Sequence, residues 1–159
     1  MKKKSAGKII RELSRLGVSV MNAQKISKGH GLKGERARQF IIDNDLLDFS
    51  ITPLQQKELF LISYAEMISS VKRISRKKIN VRNYGAVDWS KLDGRIKDIV
   101  FDLRYRGDYT DDSRKLIQKH IARNDLKAFK KAMKDRAFWR SKQDVPEVRF
   151  NEHIAWLNK

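Results

Sequence analysis

The chain has 159 residues, of which 36 are lysine or arginine and 19 are aspartate or glutamate, so its formal net charge is +17. It contains no cysteine, which excludes a disulfide scaffold, a thiolate nucleophile and a cysteine-bound zinc site. No apolar run approaches the ~20 residues of a membrane span, and the lysine-rich residues 1–4 precede no signal-type apolar segment. We therefore expect a soluble chain that forms one domain over residues 1–159.

The positive charge is concentrated in two segments. Residues 1–40 contain 11 basic and 2 acidic residues, and residues 72–82 contain six basic residues and no acidic one. Fields of this kind attract polyanions such as nucleic acid, an anionic membrane surface or the acidic polymers of a bacterial wall. The alternative is a basic surface that only keeps the chain soluble, and charge by itself does not distinguish the partners.

The first third of the chain predicts three helices. Residues 5–16 form an apolar stripe at helical spacing that ends at Gly17, and residues 19–27 predict a shorter helix. A glycine-containing turn over residues 28–34 precedes a third helix that begins at Gly34. The apolar residues of these three helices are Ile9, Ile10, Leu13, Leu16, Val20, Met21, Ile26, Ala37, Phe40 and Ile41, and we expect the last three to point inward.

The clearest helix start lies at Thr52-Pro53. Thr52 is the expected N-cap, Pro53 occupies the first helical position, where its missing N–H costs nothing, and Gln55 completes a capping box. The following helix is apolar on most sides through its middle, which predicts a buried central helix. We expect it to continue as a basic rod over residues 72–78 and to break at Tyr84-Gly85.

The second half predicts four further helices. The apolar stripe over residues 92–103 is complete, so we expect this helix to be the most buried of the chain. The expected helix starts are Asp88, Thr110 or Asp111, Asp125 after Asn124, and Asp144 with Pro146. No segment of strand length alternates between apolar and polar residues. The sequence therefore predicts an all-α fold of about seven or eight helices.

Most motifs of catalysis and cofactor binding are absent. There is no glycine-rich phosphate loop followed by Lys-Ser/Thr, no HExxH and no GxSxG. His30, His120 and His153 are far apart in the sequence, and His120 lies beside an apolar stripe, which favours a partly buried helix residue over a ligand. The sequence therefore predicts no metal site, no cofactor and no catalytic residue.

Four segments resemble T-even phage lysozymes, in the same order along the chain. Residues 51–60, ITPLQQKELF, resemble the start of the family's long interdomain helix. Residues 92–107, which end in IVFDLRYRG, resemble the central helix of its C-terminal lobe. Residues 124–129, NDLKAF, are similar to a turn where a family helix restarts, and Phe138-Trp139 followed by Arg149 is similar to the closing pattern.

The pesticin-type branch, which comprises lysozyme-like domains of bacteriocins and secreted antibacterial effectors, is more similar still. Matching features are GLKGERA at residues 31–37, the Ile-Thr helix start, the Asp-Leu…Tyr…Gly segment at 102–107 and a terminal Val-Arg…Trp-Leu. The resemblance covers about residues 8–158. It implies a lysozyme-like helical domain belonging to a muramidase, either an antibacterial toxin or a phage endolysin.

The catalytic parts that the resemblance implies are not found. These muramidases use a general-acid glutamate and an aspartate on a small hairpin rich in glycine and threonine. Glu12 is the only acidic residue among the first 34, and no such hairpin follows it. In the pesticin-type order the hairpin comes before the region that matches residues 5–16, so we expect it on another segment.

The resemblance implies a glycan-facing cleft. Tyr105, Arg106 and Tyr109 lie where the family's C-terminal lobe lines its cleft, and Trp139 has a similar position, so these four are the candidate substrate-binding residues. The alternative is that Tyr105 and Trp139 are core aromatics. We expect Arg149 to form an internal ion pair that closes the last helix.

Three functions remain open. The first is that the chain is the C-terminal part of a peptidoglycan-degrading muramidase and is inactive by itself. The second is a lysozyme-like protein without catalysis that binds peptidoglycan or a protein partner. The third is a basic nucleic-acid binder. The first two place it at the bacterial cell wall or periplasm, with a separate catalytic or delivery segment, or an inhibitor protein, as possible partners. The third leaves it in the cytoplasm with phosphate contacts, since residues 72–83 offer only Asn80 and Asn83 for reading bases.

Overall fold

The computed structural model describes residues 4–159, and this range contains helices and no strand. The prediction of an all-α fold is confirmed. The helices are α1 (Ala6–Arg15), α2 (Val20–Lys28), α3 (Glu35–Asp43), α4 (Pro53–Ser75), α5 (Lys78–Tyr84), α6 (Gly94–Arg106), α7 (Asp111–Ala122), α8 (Leu126–Met133), a π-helix (Ala137–Lys142) and α9 (Glu147–Leu157). Within residues 4–159, none of them combines the length and the apolar content needed to cross a membrane.

The chain divides into two compact units, Met1–Ser63 and Tyr64–Lys159. The boundary lies inside the continuous helix α4. The expectation of one domain over residues 1–159 stays a prediction.

In the first unit, α1 packs against α2 around a small core. Leu13, Val18 and Ala23 are its buried residues, and Ile9, Ile10, Ile26, Phe49 and Ile51 pack against it. Gly17 has φ +79°, a left-handed conformation that glycine adopts without strain. This turn brings the amide of Val18 within 3.1 Å of the carbonyl oxygen of Leu13, so the chain folds back after α1.

Several side chains that the periodicity would turn inward are exposed in this unit. Val20 is 58% and Met21 66% exposed, and Ile41, which we expected to point inward, is 40% exposed. Helix α2 instead buries the small residues Ala23 and Ser27, which are four positions apart on one face. Because small side chains let two helices approach closely, α2 packs against α1 through the face that carries Ala23 and Ser27.

The predicted start of α4 is confirmed by two reciprocal hydrogen bonds. The amide of Gln55 donates to the Thr52 hydroxyl at 3.2 Å, and the amide of Thr52 donates to the Gln55 side chain at 2.9 Å. The prediction of burial is right only for the second half of the helix, where Met67, Val71 and Ile74 are buried. In the first half the large apolar side chains Leu54, Phe60 and Leu61 are more than half exposed.

The predicted basic rod is interrupted, so residues 53–84 form two helices instead of one. Helix α4 ends at Ser75, and Lys77 is extended, with ψ 134°, before α5 begins. The buried amide of Asn80 donates to the carbonyl oxygen of Ile74 at 2.7 Å, and the Trp89 indole donates to the Ser75 hydroxyl at 3.1 Å. These bonds tie the side chains of Asn80 and Trp89 to the last turn of α4. The break and the π-helix together account for more helical segments than we predicted.

Helix α6 is the centre of the second unit, as the stripe over residues 92–103 predicts. Ile96, Ile99, Val100 and Leu103 are each at most 2% exposed. The other buried apolar side chains around it are Val71, Ile74, Trp89, Leu92, Phe101, Tyr109, Ile117, Ile121, Phe129, Ala132, Met133, Trp139, Val145, Phe150 and Leu157. The predicted cap Asp88 is wrong, because Asp93 accepts from the amide of Arg95 and Leu92 precedes the helix.

The helices after α6 begin close to their predicted caps. Thr110 and Ser113 form a capping box at the start of α7, and Asp125 accepts from the amide of Ala128 at the start of α8. The N-cap of α9 is Pro146, and Asp144 lies two residues earlier with φ +51°. Local sequence signals therefore place these three helices, since caps depend on neighbouring residues alone.

Candidate functional site

The predicted binding residues of α6 lie together at its C-terminal end, but only Tyr105 is open to a ligand there. Its side chain is 58% exposed. Arg106 is half-buried, and its Nε donates to Asp108 Oδ2 at 2.5 Å. Its Nη2 also donates to the carbonyl oxygens of Gln143, at 3.2 Å, and of Asp144. Arg106 therefore attaches the end of α6 to the loop that precedes α9.

Tyr109 is a core residue, 2% exposed. Its hydroxyl donates to the side-chain oxygen of the buried Gln118, and the Arg114 guanidinium lies 5.4 Å from the centre of its ring. Burial raises the pKa of Tyr109 and outweighs the lowering effects of Arg114 and of the hydrogen bond. Its ring has no exposed face on which a sugar could stack.

Trp139 is also a core residue, 1% exposed, as the alternative interpretation of this side chain proposed. Its indole Nε1 donates to the carbonyl oxygen of Ala132 at 3.0 Å, and its ring meets Phe138 edge-to-face at 4.9 Å between centroids. Of the three aromatic candidates, Tyr109 and Trp139 are thus unavailable to a ligand in this structure. Ligand contact by Tyr105 and Arg106 stays a prediction.

The internal ion pair predicted for Arg149 is present. Its Nη1 lies 2.8 Å and 2.9 Å from the two carboxylate oxygens of Asp102, which joins α9 to α6. The buried His153, one turn after Arg149 on the same face of α9, places Nε2 2.7 Å from Asp102 Oδ2. The sequence analysis did not find Asp102 and His153, although an arginine and a histidine four residues apart were a usable signal.

The charge of Asp102 is stabilised in this arrangement. Burial alone would raise the pKa of Asp102, but the hydrogen bond from His153 and the charge of Arg149 outweigh it, and the pKa is lowered. The carboxylate thus stays charged at neutral pH. It serves as the common partner of two α9 side chains.

An open cleft of about 410 Å³ lies beside this cluster, between α6 and α9. Its lining residues are Asp98, Ile99, Asp102, Arg149, Glu152, His153, Ala155, Trp156 and Lys159. Trp156 is 38% exposed, and the Lys159 ammonium lies 4.4 Å from the centre of its ring. The cleft combines an aromatic ring, carboxylate acceptors and cationic donors, which is a combination that fits a small ligand rich in hydroxyl groups.

Glu12, the one acidic side chain near the start of the chain, is held in an ion pair of the first unit. Lys4 Nζ lies 2.6 Å from its Oε2, and Lys8 Nζ lies 3.8 Å from its Oε1. The residue is 8% exposed. Among the described residues no strand accompanies it, so the hairpin that a muramidase places beside its acid is not part of this site.

The site therefore belongs to a basic all-α protein whose sixth and last α-helices are joined by a carboxylate–arginine–histidine cluster. Residues 1–154 match the family model described as Domain of unknown function (DUF8812), and the chain belongs to this family. No curated protein and no solved structure matches the chain.

Proposed function

We propose that the chain is the helical part of a lysozyme-like protein of the bacterial cell wall, a toxin or endolysin, and that by itself it binds glycan strands without cleaving them. The observation that carries the binding proposal is the α6–α9 cleft. The half-exposed Trp156 supplies an apolar face for a sugar ring, while Glu152 and Arg149 supply an acceptor and a donor for hydroxyl groups. The binding site moves accordingly from the predicted Tyr109 and Trp139 to the other side chains of α6 and α9.

The resemblance to the lysozyme family supports the setting of this cleft. The family's C-terminal lobe is built on a central apolar helix, and α6 has that character here, since Ile96, Ile99, Val100, Phe101 and Leu103 are buried and the helix ends at Gly107 with φ +107°. The matching segments also follow one another in the family's order over about residues 8–158. Peptidoglycan is the ligand that this resemblance implies.

The absence of catalysis in the proposal follows from the carboxylates. A retaining or inverting muramidase needs a carboxylic acid that protonates the leaving oxygen and a second carboxylate across the scissile bond. Glu12 is paired with Lys4, and Asp102 is kept charged by Arg149 and His153. Neither of these two carboxylates therefore supplies the general acid, and the proposal assigns that acid to a separate segment.

Nucleic-acid binding has less support from the residues. Of the two asparagines that the sequence offered for reading bases, Asn80 is buried and donates to the carbonyl oxygen of Ile74. The basic segment around it is divided between α4 and α5, so it does not present one continuous recognition helix.

Calorimetric titration with chitohexaose, a neutral glycan, tests the proposal. We expect binding that changes little between about 0.05 M and about 0.5 M NaCl, because salt does not screen apolar stacking. Trp156→Ala should weaken it about tenfold, whereas Trp156→Phe should keep most of it. Val148→Ala is the matched control, since Val148 is 70% exposed on the same helix and does not line the cleft.

Two results would contradict the proposal. If Trp156→Ala binds chitohexaose as well as Val148→Ala does, the cleft is not the glycan site. If only Tyr105→Ala loses binding, the glycan site lies at the end of α6. If the purified chain clears a suspension of peptidoglycan, it is catalytic by itself. Loss of this clearing activity in Glu12→Gln would then identify Glu12 as the general acid.

A further inference from the structure

Helix α8 and its C-cap residue carry four lysines on one face. Lys127, Lys130, Lys131 and Lys134 follow the spacing i, i+3, i+4 and i+7, which places their side chains along one side of the helix. Together with Leu126 they line a shallow recess of about 430 Å³. No acidic side chain contributes to it. The recess belongs to the second unit and is lined by none of the residues of the α6–α9 cleft.

Several other cations of the second unit form ion pairs with carboxylates. Arg95 pairs with Asp93, Lys115 and Lys142 pair with Asp112, and Arg136 and Arg140 pair with Glu147. Within residues 4–159, none of the four recess ammonium nitrogens lies within 4.0 Å of a carboxylate oxygen. The row is therefore a local excess of positive charge.

The lysines of this row repel one another, because like charges three or four residues apart are neighbours on the surface of a helix. The helix dipole disfavours Lys127 in the first turn, whereas it favours Lys130 and Lys131 in the last turn and Lys134 at the C-cap. A bound polyanion would relieve the mutual repulsion of the four side chains.

The composition of the recess indicates a polyanion. All four cations are lysines, whose ammonium groups act as point charges and can bind phosphate groups. Neighbouring lysines on the helix are about 5–6 Å apart at Cβ, a spacing that suits successive charges along an extended polymer. The lining residues include no aromatic ring and no amide, the groups that stack on or read bases.

We propose that this lysine recess binds a linear phosphodiester polymer through its phosphates, and that the polymer is a polyol phosphate of the bacterial wall. The polyanionic character of the ligand follows from the recess. The choice of a wall phosphodiester over a nucleic acid rests on the proposed function and on the lack of base-reading side chains. Such a surface holds the chain on the wall while the neutral glycan occupies the α6–α9 cleft.

Fluorescence anisotropy with labelled poly(glycerol phosphate) of about 20 repeats tests the recess in the full-length protein at about 0.05 M NaCl. Replacing Lys127, Lys130, Lys131 and Lys134 together by glutamine should weaken binding about tenfold or more and lower the slope of log affinity against log salt by about 3. The matched control replaces Lys72, Arg73, Arg76 and Lys77 by glutamine. Both variants have the same net charge, 17 − 4 = +13, and we expect the control to lose less than about threefold in affinity.

The outcomes separate the parts of the proposal. An equal loss in both variants would overturn it, because net charge alone would then bind the polymer. Equal affinity for polyglutamate of the same length would overturn the phosphate chemistry, and affinity about tenfold higher for an oligothymidylate would overturn the wall source. Because chitohexaose is uncharged, its binding should be the same in the recess variant and the natural chain, so failure of the cleft and failure of the recess give different results.

Discussion

At the scale of single residues, the aromatic side chains of the second unit have different environments. Trp139 and Tyr109 are buried and each uses its polar atom inside the fold, on Ala132 and Gln118 respectively. Tyr105 and Trp156 instead expose their rings. A residue type that suits sugar stacking equally suits a protein core, and burial by neighbouring helices decides which use is available.

The pair Trp139 and Tyr105 provides a direct test. Trp139→Ala removes a fully buried ring and should lower the free energy of unfolding by about 3–5 kcal/mol. Tyr105→Ala removes an exposed ring and should change it by no more than about 0.5 kcal/mol. Chemical denaturation followed by circular dichroism measures both. A stable Trp139→Ala variant would contradict the burial of this ring.

At the scale of elements, α9 is attached to α6 by charge as well as by apolar packing. Asp102 of α6 holds both Arg149 and His153 of α9, while Phe150 and Leu157 of α9 enter the core. Since the cleft lies between these two helices, the cluster keeps its two walls in position. An ion pair of this kind contributes little energy by itself at a partly exposed site, but it selects one arrangement of the helices.

The lowered pKa of Asp102 predicts an acid-dependent loss of stability. Asp102 binds its proton more weakly in the native state than in the unfolded chain, where aspartates have a pKa of about 3.9. The contribution of Asp102 to the free energy of unfolding is therefore complete above about pH 4, and it is lost as the pH falls through the lower native pKa. Thermal melts between about pH 5 and about pH 2 should show a shallower decline for Asp102→Asn than for the natural chain. Asp48→Asn, an exposed residue of the first unit, is the control. Parallel declines in all three proteins would contradict the role of Asp102.

At the scale of the whole molecule, the net charge of +17 is the dominant property. Charge of one sign keeps a protein in solution and attracts polyanions, but it also opposes compaction through self-repulsion. Part of it is compensated by local pairs such as Arg136 with Glu147, whereas the row on α8 is not compensated. Local ion pairs therefore compensate the charge of some cations and leave that of the α8 row in excess.

Self-repulsion predicts that salt stabilises this protein. Raising NaCl from about 0.02 M to about 0.5 M shortens the screening length from roughly 20 Å to a few ångströms, so Tm should rise by about 2–5 °C. Differential scanning calorimetry measures the change. The fourfold lysine-to-glutamine variant of α8 should show a smaller rise, because it has less charge to screen. A fall in Tm with salt would mean that the ion pairs outweigh the repulsion.

Features of the fold that depend on neighbouring residues were predictable from the amino-acid sequence. The all-α class, the capping box at Thr52, the cap at Thr110 as one of two predicted positions, the cap at Asp125 and the stripe that buries α6 are local patterns of spacing and hydrogen bonding, and the structure contains all of them. They were predictable because helix periodicity and capping act within a few residues.

Which of several apolar faces became core depended on how the helices pack against one another. This packing exposed the first half of α4, ended that helix at Ser75 with the help of Asn80 and Trp89, and buried Tyr109 and Trp139. It also selected Asp102 as the partner of Arg149, 47 residues away. These outcomes depend on contacts between residues far apart in the chain, and the periodicity of one helix contains no information about which helices will pack against it.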